Sequence, residues 1–186
     1  MPPKIRVTKE DIVETALELV RNEGAEALNA RAVAVALGCS TQPVFSNFAS
    51  MEELRLAVVG RADALCNEYI RRETESGVYP AYKASGIAYI RFASEERELF
   101  KLLYMRDRSR EAALEAQEFD EGLRSVVKTS TGLDDDDAAL FHLEMWAFVH
   151  GIASMFATGF VRLEWELVSR MMTDVYKGLR KRFGVE

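Results

Sequence analysis

Apolar residues recur at helical spacing along almost the whole chain. In the first segment Ile12, Ala16, Leu19 and Val20 follow the three- and four-residue steps of a helix, and Gly24 ends the run. No segment shows the sustained alternation of apolar and polar residues that is typical of strands. The pattern therefore predicts an all-α protein. The predicted helices cover residues 8–23, 29–37, 41–47, 51–75, 81–96, 97–105, 109–128, 135–159 and 163–182.

Polar residues stand where several of these helices begin. Thr8 and Ser50 each open a sequence of the capping-box form, in which a hydroxyl and a later acidic side chain bond free backbone amides. Asn29 and Ser40 are residue types that cap helices, and we expect them to open the two short helices. The acidic run 134–137 either complements the dipole of the helix that follows or binds a cation. No oxygen-rich loop with calcium spacing follows it, which favours the first interpretation.

The second and third predicted helices are short, and a turn containing Gly38 joins them. A longer helix precedes them, and this arrangement is typical of helix-turn-helix DNA-binding domains. Their apolar spacing leaves Thr41, Gln42 and Phe45 facing outward. The residues predicted to pack these helices onto the first are Val33, Leu37, Val44 and Phe48. The alternative is a small helical subdomain whose turn is incidental.

Charge is distributed unevenly along the 186 residues. Acidic residues outnumber basic ones by 30 to 24, and the net charge of −6 by itself argues against a nucleic-acid partner. From Asn29 to Ser50, however, the only charged residue is Arg31. A phosphate backbone can approach this segment without meeting a carboxylate, and the amides at the helix N-termini capped by Asn29 and Ser40 can bind phosphate. The local charge therefore permits DNA binding.

The remaining composition excludes several classes of function. The chain has two histidines, His142 and His150, without a Ser-His-Asp order, an HExxH motif, zinc spacing or a Gly-rich phosphate loop. We therefore expect no enzyme, no cofactor and no metal site. Cys39 and Cys66 form no CxxC motif and no secretory signal opens the chain, which predicts a cytoplasmic protein. The apolar stretch 145–161 contains His150 and two glycines, so we expect a core helix and no membrane partner.

Most of the aromatic residues lie beyond Pro80. A helical body with many large rings and several methionines can enclose an apolar cavity for a ligand. Trp146 and His150 are one helical turn apart and each carries a polar atom, so they are the leading candidates for such a pocket. The predicted ligand-binding set is Tyr89, Phe92, Phe100, Tyr104, Trp146 and His150. Core packing is the alternative for most of the rings, and for His150 a bond to a backbone carbonyl.

Two stretches of the sequence resemble a known family. The first runs from Thr8 to Leu54 and contains ALGCSTQPVFSNF at residues 36–48 and MEEL at 51–54. It is similar to the DNA-binding domain of the TetR/AcrR family of transcriptional regulators. The second, WAFVHG at 146–151, resembles the Trp-x-x-x-His-Gly signature of a subgroup of that family's C-terminal domains. The resemblance covers nearly the whole chain.

The resemblance implies an all-helical homodimer that binds a palindromic double-stranded DNA operator and an unknown small-molecule effector. It implies a helix-turn-helix DNA-binding domain over 1–50 and a larger helical ligand-binding and dimerisation domain over 51–186, connected by the helix 51–75. Gln42 can bond an adenine edge in bidentate fashion, and Thr41 can meet a thymine methyl or a phosphate. With the two capping residues and Ser46, the predicted DNA-binding set is Asn29, Arg31, Ser40, Thr41, Gln42, Pro43, Phe45, Ser46 and Asn47.

Three residues depart from those that are frequent in the family. Phe45 replaces a tyrosine, Asn47 a histidine, and Met51 a phosphate-binding lysine, so we expect fewer backbone contacts. Phe45 either contacts thymine methyl groups or packs on its own module. The function implied is a ligand-responsive regulator, with repression as the working mechanism and activation left open. The alternative is a helical ligand-binding or interaction protein of the same fold without sequence-specific DNA binding.

A stripe of small residues follows one face of the helix predicted over 135–159. Small side chains at i, i+4, i+7 and i+11 allow another helix to approach closely. The family dimerises through its last two helices, so the resemblance implies that this helix and the one over 163–182 form a four-helix interface. The predicted interface residues are Ala147, Gly151, Ser154 and Thr158. A close contact within one subunit is the alternative.

Overall fold

The computed structural model describes residues 7–107 and 121–185. Within these ranges it contains nine α-helices and no strand, so the predicted all-α fold is confirmed. A short 3₁₀ turn, Ala25–Ala27, follows the first helix. The helices are α1 (Lys9–Glu23), α2 (Ala30–Ala36), α3 (Gln42–Asn47), α4 (Met51–Glu75), α5 (Ala81–Glu95), α6 (Arg97–Tyr104), α7 (Glu121–Thr131), α8 (Asp135–Thr158) and α9 (Trp165–Arg182).

The predicted helix boundaries lie close to the observed ones except in one segment. Of the helix predicted over 109–128, the part up to residue 120 lies outside the described residues. The part that is described belongs to α7, which continues past residue 128 to Thr131. Gly132 ends it with a φ of +73°, a left-handed backbone that glycine adopts without a steric cost.

The predicted N-terminal caps Thr8 and Asn29 are present, and Asp134 caps α8 as well. Thr8 and Asp11 form a reciprocal capping box, in which Thr8 Oγ1 accepts a hydrogen bond of 3.1 Å from the Asp11 amide. Asn29 and Asp134 cap α2 and α8, each accepting from the amide three residues later, at 3.0 and 2.9 Å. Within the acidic run, Asp134 thus caps α8 and Asp135 pairs with Lys128 of α7 at 2.8 Å. In the part of the chain that the structure describes, no cluster of three or more His, Cys, Asp or Glu residues is arranged to hold a metal ion.

The prediction that Ser40 caps α3 is wrong. The cap residue is Thr41, and it makes no side-chain capping bond. Its backbone is already helical, with a φ of −72° and a ψ of −11°. A capping side chain needs an extended backbone at that position to fold back onto the free amides. Ser40 lies one residue too early to reach them.

The described residues form two compact units. The first contains those up to Glu68 together with Glu96–Arg106, and the second contains Tyr69–Glu95 and those from Asp107 onward. The long helix α4 therefore contributes residues to both units, and α6 belongs with α1–α3. The functional boundary between residues 50 and 51 stays a prediction.

Apolar side chains from α1 to α4 form the core of the first unit. Ile12 and Val20 on α1 are fully buried, as are Val33 on α2 and Val44 on α3. Phe48, directly after α3, is buried with them. This core fixes the positions of the two short helices, which are too short to be stable alone.

On α4 the buried stripe advances by four residues at each step, through Leu54, Val58, Ala62 and Cys66. Leu65 is only half-buried, because the four-residue step places its neighbour Cys66 inward. Burial raises the pKa of the Cys66 thiol to about 12, so the group is protonated at neutral pH and a poor nucleophile.

The second unit is built around α8, which packs against α5, α7 and α9. Phe92 on α5 and Phe141 on α8 are fully buried there. Among the described residues, α8 alone is long and apolar enough to cross a membrane, with a mean hydropathy of 1.2 over its most apolar window. The core helix of a folded domain passes the same test, and the buried face of α8 agrees with the core helix that we predicted.

Candidate nucleic-acid interface and effector site

The helices α1, α2 and α3 pack on one another in a helix-turn-helix arrangement. The turn between α2 and α3 passes through Gly38 at a φ of +65°, where a side chain would strain the backbone. Val33 and Val44 face the core as predicted. Leu37 is half-buried, because it is the C-cap residue of α2 and already lies at the edge of the module.

The outward face of α3 contains three of the nine predicted DNA-binding residues. Gln42, Phe45 and Ser46 are exposed, and Phe45 keeps 55% of its surface accessible. Phe45 is therefore not part of the buried core of its module. The other predicted residues of the set are half-exposed or exposed on the same segment: Asn29, Arg31, Ser40, Thr41, Pro43 and Asn47.

Several polar side chains of this segment are bonded to their own backbone. Ser46 Oγ donates to the Gln42 carbonyl at 2.9 Å, and Asn47 Nδ2 donates to the Pro43 carbonyl at 2.8 Å. Asn29 Nδ2 likewise donates to a backbone carbonyl at 3.1 Å. These bonds orient the side chains and use part of their donor capacity. The role of each residue in DNA binding stays a prediction.

The link between α3 and α4 is bonded to the first turn of α4. Ser50 Oγ accepts from the Glu53 amide at 3.2 Å, while the Glu53 carboxylate accepts from the Ala49 amide at 2.7 Å, one residue before the predicted partner. Lys9 Nζ donates to Glu53 at 3.0 Å and lies 4.6 Å from the centre of the Phe48 ring. The Ala49 amide, and after it Lys9, holds the pKa of the Glu53 carboxyl below its usual value. The bonds position α3 against α1 and α4.

In the second unit, α5 and α8 bring three predicted ligand-binding residues together. Tyr89 Oη and His150 Nδ1 share a hydrogen bond of 2.9 Å. The Trp146 ring stacks on His150, with ring centres 4.6 Å apart and planes inclined by 16°. Burial lowers the pKa of His150. The cluster therefore combines two apolar ring faces with an imidazole that is neutral at physiological pH.

The other three predicted ligand-binding residues lie elsewhere. Phe92 is fully buried in the second unit, where its ring meets the edge of Tyr69 at 5.5 Å. Phe100 and Tyr104 belong to the first unit, with their ring centres 4.9 Å apart. Tyr104 Oη lies 3.8 Å from the Cys66 sulfur. The role of these three residues in ligand binding stays a prediction.

A second tyrosine–histidine pair joins α5 and α8, and the sequence reasoning missed it. Tyr82 Oη and His142 Nδ1 are 2.9 Å apart, and His142 is almost fully buried. The signal in the sequence was weak: Tyr82 and Tyr89 are seven residues apart on α5, and His142 and His150 are eight apart on α8, each about two helical turns. Intervals of similar length agree with two helices that lie side by side, but they do not fix the pairing.

The small residues predicted for a dimer interface are accessible along α8. Ala147 and Thr158 are exposed, and Gly151 and Ser154 are half-exposed. A methyl group added at Gly151 would meet no described atom within 4 Å. Within the described part of the subunit, Gly151 therefore does not serve a close helix contact. The dimer itself stays a prediction.

One protein family matches the chain in a family-model comparison. The family described as the tetracyclin repressor-like C-terminal domain matches residues 82–175, half of the chain. The chain belongs to the tetracycline repressor-like (TetR) family. A comparison with curated proteins found no match. The matched segment of this TetR-family protein includes the Tyr89 cluster and the small residues of α8, while α1–α3 precede it.

The lowered pKa of His150 predicts how the stability of this TetR-family protein depends on pH. The unfolded chain binds a proton at His150 near its ordinary pKa of about 6.5, before the folded chain does. The free energy of unfolding is therefore expected to fall as the pH drops below about 6.5. Urea unfolding at about pH 7.5 and about pH 5.5 measures this change. A smaller change is expected for His150→Gln, and an equal change in both proteins would contradict the assignment.

Proposed function

We propose that the protein is a DNA-binding transcriptional regulator that represses by occupying a palindromic operator as a cytoplasmic homodimer, and that it has no catalytic activity. The observation that carries this proposal is the exposed face of α2 and α3. Its segment from Asn29 to Ser50 contains Arg31 as its only charged residue, so no carboxylate repels a phosphate backbone there. Gln42 and Phe45 are exposed on α3, the helix that enters the major groove in helix-turn-helix proteins.

The proposed dimer follows from the accessible small residues of α8 and the family to which the chain belongs. Two copies of α8 and α9 would form a four-helix interface in which each subunit presents the same surface. On α9, part of the apolar surface stays accessible at Leu167, Met171 and Leu179. A palindromic operator then requires the two reading helices to lie about 34 Å apart, one turn of DNA.

The proposed effector site is the cluster of Tyr89, Trp146 and His150. We assign the protein to the subgroup with the Trp-x-x-x-His-Gly signature, of which Trp146, His150 and Gly151 are the matching residues. The neutral imidazole and the stacked indole suit an uncharged ligand with an aromatic or apolar surface. A ligand that binds the two conformations of the dimer unequally shifts the spacing of the reading helices and releases DNA.

The decisive experiment replaces Thr41 and Gln42 by alanine. A binding site is first selected from random duplex DNA, and operator affinity is then measured by fluorescence anisotropy. Loss of a bidentate base contact costs about 1–3 kcal/mol, so affinity is expected to fall at least about fivefold. Both side chains are accessible, so the fold and the dimer are expected to survive the change.

The control for this experiment is Thr129→Ala, at an exposed position on α7. It is expected to leave operator affinity unchanged. Equal affinity of the Thr41→Ala, Gln42→Ala protein and the wild type would refute α3 as the reading helix. Failure to select any inverted-repeat duplex in low salt would refute the regulator and favour a ligand-binding protein of the same fold.

A further inference from the structure

We propose that α3 reads A·T base pairs, with Phe45 as the residue that selects thymine by contact with its 5-methyl group. The proposal rests on the proposed function and names the base composition of the operator that the same surface recognises. The proposal covers only the base pairs that α3 contacts. Arg31 lies on α2 and is not part of it.

The side chains of α3 offer only uncharged groups to a base edge. Guanine presents two acceptors in the major groove and is read mainly by Arg or Lys, while cytosine presents a donor that Asp or Glu accepts. No residue of α3, Gln42–Asn47, is charged. The helix therefore lacks the side chains that most commonly select G·C pairs.

The polar side chains at the end of α3 have hydrogen-bond partners within the helix. Ser46 Oγ donates to the Gln42 carbonyl at 2.9 Å, and Asn47 Nδ2 donates to the Pro43 carbonyl at 2.8 Å. The Gln42 amide lies on the exposed face, and a glutamine amide matches the adjacent donor and acceptor of adenine. The geometry of α3 therefore favours adenine as the base that receives its polar contact.

The Phe45 ring lies on the accessible face of α3. Val44 on α3 and Phe48 directly after it are buried, whereas Phe45 keeps 55% of its surface accessible. Gln42 and Phe45 are three residues apart and share one face of the helix. An accessible phenyl ring beside an amide that bonds adenine can contact the thymine methyl groups of neighbouring A·T pairs. Removal of both surfaces from water makes this contact favourable.

The test removes single methyl groups from the DNA. Deoxyuridine replaces thymine, one position at a time, in the duplex selected by the wild-type protein. At one or more positions under α3, affinity is expected to fall about fourfold, which corresponds to ~0.8 kcal/mol for one buried carbon. The protein variant Phe45→Ala is expected to bind more weakly and to lose this sensitivity, which makes the two changes non-additive.

Two controls keep the result specific. Phe160→Ala removes a phenyl ring that is 82% exposed between α8 and α9, and its sensitivity to deoxyuridine is expected to equal that of the wild type. Deoxyuridine between the two half-sites is expected to have no effect. The selection from random duplex DNA is repeated with Gln42→Ala and with Phe45→Ala. The base pairs under α3 are those at which a variant no longer prefers the base that the wild type selects. Circular dichroism establishes that the variants are folded.

Each outcome bears on one proposal. A·T pairs at the mapped positions, together with methyl sensitivity that disappears in Phe45→Ala, support the inference. Conserved G·C pairs at those positions, or methyl sensitivity that persists in Phe45→Ala, overturn it and leave the regulator intact. Failure to select any duplex refutes the regulator itself, and Phe45 then fits a contact with another protein.

Discussion

Gly151→Arg is expected to convert the proposed dimer into monomers and to weaken the proposed operator binding by about 100-fold or more. Within the described residues, a side chain at Gly151 enters open space, so the arginine fits the single subunit. In a four-helix interface the same arginine meets its symmetry mate and places two charges in an apolar contact. In a dimer, binding of one subunit holds the second subunit at high effective concentration near the other half-site. Loss of this linkage lowers operator affinity by about 10²–10⁴-fold.

Sedimentation equilibrium at micromolar concentration measures the change in oligomeric state. The matched control is Thr129→Arg, which adds the same charge at an exposed position of α7 and is expected to remain a dimer with full affinity. A Gly151→Arg protein that is still a dimer would show that the stripe of small residues on α8 is not the interface.

Phe141→Ala is expected to lower the free energy of unfolding by about 3–5 kcal/mol. Phe141 is fully buried on α8, and its ring lies 5.5 Å from Tyr176 and 5.7 Å from Phe183, both centre to centre. Alanine removes these contacts and leaves a cavity that packed helices close only in part. Since domains of this size are stable by only about 5–15 kcal/mol, the change removes a large fraction of the stability.

Urea unfolding followed by circular dichroism measures this loss. Phe160→Ala is the matched control, because it removes the same phenyl ring from a position that is 82% exposed. Its effect is expected to stay within about 0.5 kcal/mol, as for ordinary surface substitutions. Equal losses in the two variants would mean that Phe141 does not hold the α8–α9 contact.

The helix starts show what local sequence can and cannot predict. Thr8 and Asn29 cap helices as predicted, because a cap depends on side-chain chemistry within three residues. Ser40 has the right chemistry and does not cap, because the backbone of Thr41 is already helical. That conformation depends on how the turn through Gly38 brings α3 onto α1, which no local window contains.

The candidate sites divide in the same way. Spacing on one helix was enough to pair Trp146 with His150, and their rings stack. It did not identify Tyr89 as the hydrogen-bond partner of His150, nor the second pair formed by Tyr82 and His142. These pairs depend on the register between α5 and α8, two helices that are far apart in the sequence.

The sequence by itself determined the all-α fold, most helix boundaries and the charge-poor segment around Arg31, because periodicity, capping and charge are properties of neighbouring residues. Only the tertiary structure decided where burial departs from that spacing and which helices meet. It left Leu37 half-buried, joined Tyr89 to His150, and kept the Gly151 face of α8 open. The physical reason is that burial depends on which helices meet, and those contacts form between residues that the chain separates widely.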